Sequence, residues 1–144
     1  MTEGDRLELS LDNQREQLGP AQQRLAAFLV QQRVGDKALF ACELVLEELL
    51  ANFVFHAFDD GHVHHMALQA QVKPGEIELQ FIDEGPAFDP TARPDPVQPA
   101  SIDDARPGGL GLLLVRRWAR RVDYRRDAGR NVVTVVIANA APDD

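Results

Sequence analysis

Leu7, Leu9 and Leu11 alternate with Glu8, Ser10 and Asp12 near the start of the chain, the period-2 pattern of a strand with one buried face. Asp12 or Asn13 is then placed to cap a helix from about Gln14 to Gln32, with Leu18, Leu25, Phe28 and Leu29 on its apolar side. Gly19-Pro20 interrupts the early part, so the helix proper is expected to begin near Pro20, a good first-turn residue. Val34-Gly35-Asp36 turns the chain, with Asp36 as the next cap. The segment that follows organises the rest: from Glu43 to Phe58 it reads ELVLEELLANFVFHAF. At about 100° per residue, Cys42, Val45, Leu46, Leu49 and Phe53 fall on one stripe, as expected of a helix packing on a core. Glu48, Asn52 and His56 follow at i, i+4 and i+8, so they share one line along the flank of that stripe. Glu47 points elsewhere. A carboxylate and an amide beside a buried face are costly unless satisfied. On this stretch alone, a solvated polar edge and a ligand-holding edge fit equally well.

From His62 to Asp83 the period returns to two. Met66, Leu68, Ala70 and Val72 alternate with polar neighbours, Lys73-Pro74-Gly75-Glu76 turns the chain, and Ile77, Leu79 and Phe81 alternate again. Residues 84–108 hold six of the nine prolines, Pro86, Pro90, Pro94, Pro96, Pro99 and Pro107, and no apolar period. A loop of that length inside a compact domain reads as a lid or a disordered segment. Gly108-Gly109-Leu110-Gly111 then opens a helix with Leu112, Leu113, Val115 and Trp118 on its apolar face. Val122, Tyr124 and Arg126 alternate as a strand, Ala128-Gly129-Arg130-Asn131 reads as a turn, and Val132 to Ala138 as a closing strand. The order β-α-α-β-β-lid-α-β-β, with short turns between most strand neighbours, predicts an α+β two-layer sandwich with a mainly antiparallel sheet and its helices on one face.

A chain of 144 residues suits one domain with a full core, and no linker divides it. Its net charge of −8 argues against general affinity for nucleic acid or anionic membrane. Arg116, Arg117, Arg120, Arg121, Arg125, Arg126 and Arg130 run against that balance, as a solvated face or a partner patch. Cys42 is the lone cysteine, so no intrachain disulfide forms, and its place on the apolar stripe marks it as a small buried hydrophobe. MTEGDRLELS lacks the basic and apolar regions of a signal peptide, and no apolar run is long enough to cross a bilayer. A cytoplasmic protein is expected.

Two further stretches carry chemistry. In Phe81-Ile82-Asp83-Glu84-Gly85-Pro86-Ala87-Phe88 an apolar strand ends in an aspartate, with a glycine two residues on. A carboxylate at the mouth of a sheet accepts a hydrogen bond from an amino group, and a glycine lets the backbone approach a flat ligand. An acidic turn at a strand end has the same look. Gly108-Gly109-Leu110-Gly111 ahead of a helix leaves amides free to grip phosphate, which the helix dipole favours. It is neither a dinucleotide fingerprint, since no βαβ unit surrounds it, nor a P-loop, since no Gly-Lys-Ser/Thr is present.

In this order and on these elements, EELLANFVFHAF, DEGPAFDP and GGLGLLLVRRWARRVDY together resemble the GHKL ATPase superfamily, whose fold is the Bergerat ATP-binding fold. Within it the chain is most similar to the small anti-sigma factor serine/threonine kinases of the RsbW and SpoIIAB type, over nearly its whole length. The resemblance implies ATP and Mg²⁺ as cofactors. By it, Asn52 holds Mg²⁺ between the phosphates and Glu48 is the general base. Asp83 reads the adenine amino group with Gly85 beside it, and Ala87 stands where the wider superfamily has a second glycine. Gly109, Leu110 and Gly111 contact phosphates, and the intervening loop is the ATP lid. No arginine directly precedes the glycine turn, Arg106 being the nearest, and no phosphoacceptor domain of a histidine kinase is present. The implied partners are a STAS-type anti-anti-sigma protein, which is phosphorylated, and a sigma factor, which is sequestered, with a homodimer as the implied assembly.

Two other readings stay open at this point. The nucleotide residues would serve equally a catalytically silent module that sequesters a regulator. His62, His64 and His65 could hold a metal, though His62 and His64 share a strand face and His65 does not.

Overall fold

The structure, a computed structural model, describes residues 6–55, 64–85 and 117–139, with the side chains of Asn52, Val54 and Phe55 outside that description. Five strands and two helices follow in the order β1 (Arg6–Asp12), α1 (Leu18–Gln31), α2 (Asp36–Phe55), β2 (His65–Lys73), β3 (Glu76–Asp83), β4 (Arg121–Asp127) and β5 (Arg130–Ala138). The strands form one sheet in the order β1-β2-β3-β5-β4, and all four described pairings are antiparallel. The α+β two-layer architecture expected from the patterning is the one found.

Register explains where the core lies. Leu7, Ala70, Leu79, Val135 and Val122 stand side by side on one rung across all five strands. Leu9, Leu68, Phe81, Val133 and Tyr124 form the next. Directly opposed residues project to the same side of a sheet, so these rungs make an apolar layer. Leu25, Phe28 and Leu29 of α1 and Cys42, Val45, Leu46, Leu49, Leu50 and Phe53 of α2 are buried against it in one cluster. Burying a Leu-sized side chain is worth about 1.5–3 kcal/mol, and the stripe read from the α2 sequence supplies the central share. The turns lock the register. Gly75, at φ 77° after Pro74, turns β2 into β3. Ala128 and Gly129, at φ 52° and 79°, form the two-residue loop between β4 and β5 with both φ values positive, as a type I′ turn requires.

Two local expectations are corrected. Neither Asp12 nor Asn13 caps α1. A short 3-10 turn (Arg15–Gln17) intervenes, α1 begins at Leu18 without a side-chain cap, and Gly19-Pro20 sits inside its first turn. Asn13 Oδ1 instead accepts the backbone N–H of His64 at 2.8 Å, and Asp12 accepts from Gln17 Nε2 at 3.3 Å. A long-range partner takes Asn13 and the intervening turn takes Asp12, so neither is left to cap the helix. Asn131, read as a turn residue, belongs to β5. The end of α2 around His56, the first residues of the hairpin and nearly all of the glycine-led helix lie outside the described residues. Arg117 and Trp118 are helical, and Trp118 packs edge-on against Phe40 of α2 with ring centroids 5.4 Å apart. Among the described residues, no helix is long and apolar enough to cross a membrane.

Cys42 is fully buried, and burial, with the Glu43 carboxylate adding to it, pushes its thiol up to about 12. Only the thiolate attacks electrophiles. A maleimide is therefore expected to leave the native protein unlabelled and to label it once per chain in guanidinium. Stoichiometric labelling under native conditions would contradict the burial.

Candidate functional site

The apolar rungs end abruptly. One step beyond Leu9-Leu68-Phe81-Val133-Tyr124, the inward-facing rung is Leu11, Met66, Asp83, Asn131 and Arg126. Its β1 and β2 members continue the core, and its other three members form a polar network. Asp83 Oδ1 accepts the backbone N–H of Gly85 at 2.9 Å, the local turn that an aspartate makes with the residue two ahead. The same oxygen accepts Asn131 Nδ2–H at 3.0 Å. Asn131 Oδ1 in turn accepts the Tyr124 hydroxyl at 2.6 Å and Arg126 Nη1–H at 3.1 Å. Arg126 Nη1 also donates to the Gly85 carbonyl at 2.6 Å.

Asn131 is the buried polar residue at the centre, only 3% exposed. Such a group persists in a core only when hydrogen-bonded, and its amide orientation follows from its neighbours. A carboxylate only accepts and a guanidinium only donates, so the NH₂ must face Asp83 and the oxygen must face Arg126. Both donors to Asp83 converge on Oδ1, and Oδ2 has no hydrogen-bond partner among the described residues. The site thus presents one fixed acceptor at the end of the sheet, next to the buried backbone of Gly85. That arrangement fits the exocyclic amino group of a flat base. A cavity of about 420 Å³ lies at this end of the sheet, with Met66 and Asp83 from the inward-facing rung and Ser10, Ala67 and Ile82 from the opposite face in its lining.

Glu48 lies on the helix layer over the same face of the sheet, half-buried at the edge of the α2 stripe, whereas Glu47 is exposed. Burial raises its carboxyl pKa, and the neighbouring Glu47 charge raises it further. The folded state therefore holds this proton more tightly than the unfolded chain. Stability contributed by the neutral carboxyl is present at acid pH and lost as pH rises from the ordinary 4.5 through the raised value. Glu48→Gln, neutral at every pH, is expected to melt at a higher temperature than wild type at pH 7 and at the same temperature near pH 4. An equal difference at both would show that ionisation of Glu48 carries no cost.

Asn52 follows one helical turn after Glu48 on α2, its side chain outside the described residues. Ala87, Gly109, Leu110 and Gly111 also lie outside them. The structure brings together Asp83 and Gly85 and adds three residues that motif reading missed: Asn131, Tyr124 and Arg126. Elsewhere, His65 Nδ1 pairs with the Asp12 carboxylate across the β1–β2 edge. Among the described residues no group of three His, Cys, Asp or Glu is placed to hold a metal, and His62 lies outside them. Of the arginine run, Arg117, Arg120, Arg121, Arg125, Arg126 and Arg130 are exposed. Arg121 pairs with Asp123 at 2.7 Å and Arg120 with Glu76 at 3.6 Å.

The antiparallel sheet with two helices on one face sets the class of fold, and comparison with known proteins gives the family. The chain belongs to the histidine kinase-like ATPase domain family, whose model matches residues 11–137. It is 38% identical over 104 residues to the serine/threonine-protein kinase BtrW of Bordetella bronchiseptica, covering 72% of each chain. It is 30% identical over 91 residues to the serine-protein kinase RsbW of Halalkalibacterium halodurans, covering 60% of this chain and 55% of that one. In fold it matches the structure of the RsbU and RsbW domains of Rv1364c from Mycobacterium tuberculosis at a TM-score of 0.66 and 14% identity, over 94% of this chain and 33% of that one. Within the family the chain stands in the anti-sigma factor branch, among the ATP-dependent serine/threonine protein kinases.

Proposed function

We propose that the chain is a single cytoplasmic ATPase domain, spanning residues 1–144 with a lid at about 84–108. It transfers the ATP γ-phosphoryl group to a serine or threonine of a STAS-type anti-anti-sigma partner, and it sequesters a sigma factor. The observation that carries this reading is the Asp83 carboxylate, pinned through one oxygen by Gly85 and Asn131 and open at the other. An aspartate held in this way selects a base that offers an amino group. Phosphoryl transfer asks mainly for positioning and charge neutralisation. Asp83 and Gly85 would seat the adenine, and Gly109, Leu110 and Gly111 would present backbone N–H groups to the phosphates. Glu48 would accept the hydroxyl proton of the substrate residue. Mg²⁺, held by Asn52, would supply charge neutralisation at the phosphates; it takes few protein ligands in such sites.

A silent sequestering module uses the same nucleotide residues. The raised pKa of Glu48 favours the kinase, because a carboxylate desolvated on the α2 edge has a base strength that a merely solvated edge would lack. The deciding experiment is phosphate transfer from labelled MgATP to a purified STAS-domain protein of the same organism. Label on a serine or threonine of that partner supports the kinase. Tight MgATP binding with no transfer supports sequestration alone. Size-exclusion chromatography with and without nucleotide tests the homodimer.

A further inference from the structure

We infer that Arg126 is a positioning residue for base selection, acting through Asn131 and Gly85 on Asp83; this rests on the proposal that Asp83 reads an adenine amino group. Arg126 is the last inward-facing residue of β4, the edge strand, and its side chain is exposed. Its Nη1 donates to two acceptors, the Gly85 carbonyl at 2.6 Å and Asn131 Oδ1 at 3.1 Å. Those acceptors belong to the same two residues that donate to Asp83 Oδ1. The contacts close a ring from Asp83 through Gly85, Arg126 and Asn131 back to Asp83. One guanidinium therefore holds both groups that fix the carboxylate.

Donor chemistry separates Arg126 from Tyr124. A phenol hydroxyl donates or accepts, so Tyr124 satisfies either end of the Asn131 amide. A guanidinium is charged at every accessible pH and only donates. Arg126 therefore backs the orientation that Asp83 already demands of the Asn131 amide, and through the same nitrogen it anchors the Gly85 carbonyl. Without Arg126 the amide still turns its NH₂ to Asp83, but the Gly85 carbonyl and Asn131 Oδ1 both lose the donor they share, so the two groups that hold Asp83 Oδ1 are less firmly held. The carboxylate then rests on looser supports, and the acceptor presented to the base is less well fixed.

The test compares ATP with ITP, which carry the same phosphates but differ at position 6, amino in one and carbonyl in the other. Affinities are measured by calorimetry on the full chain without a protein substrate, so no turnover intervenes. Wild type is expected to prefer ATP. Arg126→Met, which keeps the length of the stem and removes the donors, is expected to lose about tenfold of that preference, the worth of about one hydrogen bond. Arg126→Lys is expected to restore part of the preference, and Tyr124→Phe to keep it. A role in folding alone would weaken both nucleotides equally and leave the ratio unchanged. The lysine variant also serves should the methionine variant melt too early to assay. A wild-type preference that survives intact in Arg126→Met overturns this inference and leaves the reading of Asp83 standing. No preference in wild type overturns both.

Discussion

Glu48→Gln is expected to lower phosphate transfer to a cognate partner by about 10²–10⁴-fold, the range lost when a positioned general base is removed. Glutamine is close to isosteric with glutamate and fits the same half-buried position on α2, but its amide cannot take a proton. The environment of the wild-type carboxyl sets the effect. Burial first, and Glu47 second, raise its pKa. A base works best when its pKa lies near the operating pH, so the shift is in the useful direction. It also fixes the sign of the pH profile: transfer by wild type should rise with pH through a limb lying above the ordinary carboxyl value of 4.5. In the variant that limb should vanish. Nucleotide affinity should stay within about twofold, because the lost interaction is made only during transfer. Single-turnover transfer alongside calorimetry separates the two quantities. A variant that transfers phosphate at the wild-type rate would leave Glu48 as no more than a desolvated carboxylate beside the core.

The contrast between Asp83 and its supports shows what was legible in the chain and why the rest was not. The α2 stripe, the β2–β3 hairpin and Asp83 itself follow from neighbours a few residues apart, and period and motif capture those. Asn131 and Arg126 reach Asp83 and Gly85 from 48 and 41 residues away. They do so because β5 inserts between β3 and β4, an order that no local pattern states. Half of the signal was present, since Val122, Tyr124 and Arg126 alternate, and a strand buried through Val122 and Tyr124 must point Arg126 inward. The other half was hidden, because Val132 to Ile137 is apolar at five of its six positions. Val132 and Val136 are buried on the face opposite the helices as well, so alternation could not say which face Asn131 joins. The cap expected at Asn13 fails for the same reason. The partner that Asn13 takes, His64, lies 51 residues on, while Asp12 is taken up by Gln17 of the intervening turn.

Asp83→Asn is expected to reverse base preference and not merely to weaken binding. In wild type the Gly85 N–H and the Asn131 amide both donate to Oδ1. An asparagine at this position meets the same two donors, so its carbonyl oxygen must take the place of Oδ1. Its NH₂ then falls where Oδ2 stood, and the acceptor offered to the base becomes a donor. Facing the 6-amino group of ATP, two donors meet with no acceptor between them. An unsatisfied group of this kind costs about 1–3 kcal/mol, roughly a 5- to 150-fold loss of affinity. ITP presents a carbonyl at the same position and should gain over wild type. The fold should be little disturbed, because every hydrogen bond to Oδ1 is kept. Asp83→Ala supplies the contrast: it removes the carboxylate that accepts from both the Gly85 N–H and Asn131 Nδ2–H, and should bind both nucleotides weakly. Calorimetry with ATP and ITP, paired with melting curves for the two variants, distinguishes reversal from collapse. An asparagine variant that keeps the wild-type affinity for ATP would show that the base amino group is read elsewhere, and the polar rung at the end of the sheet would be left with a structural role alone.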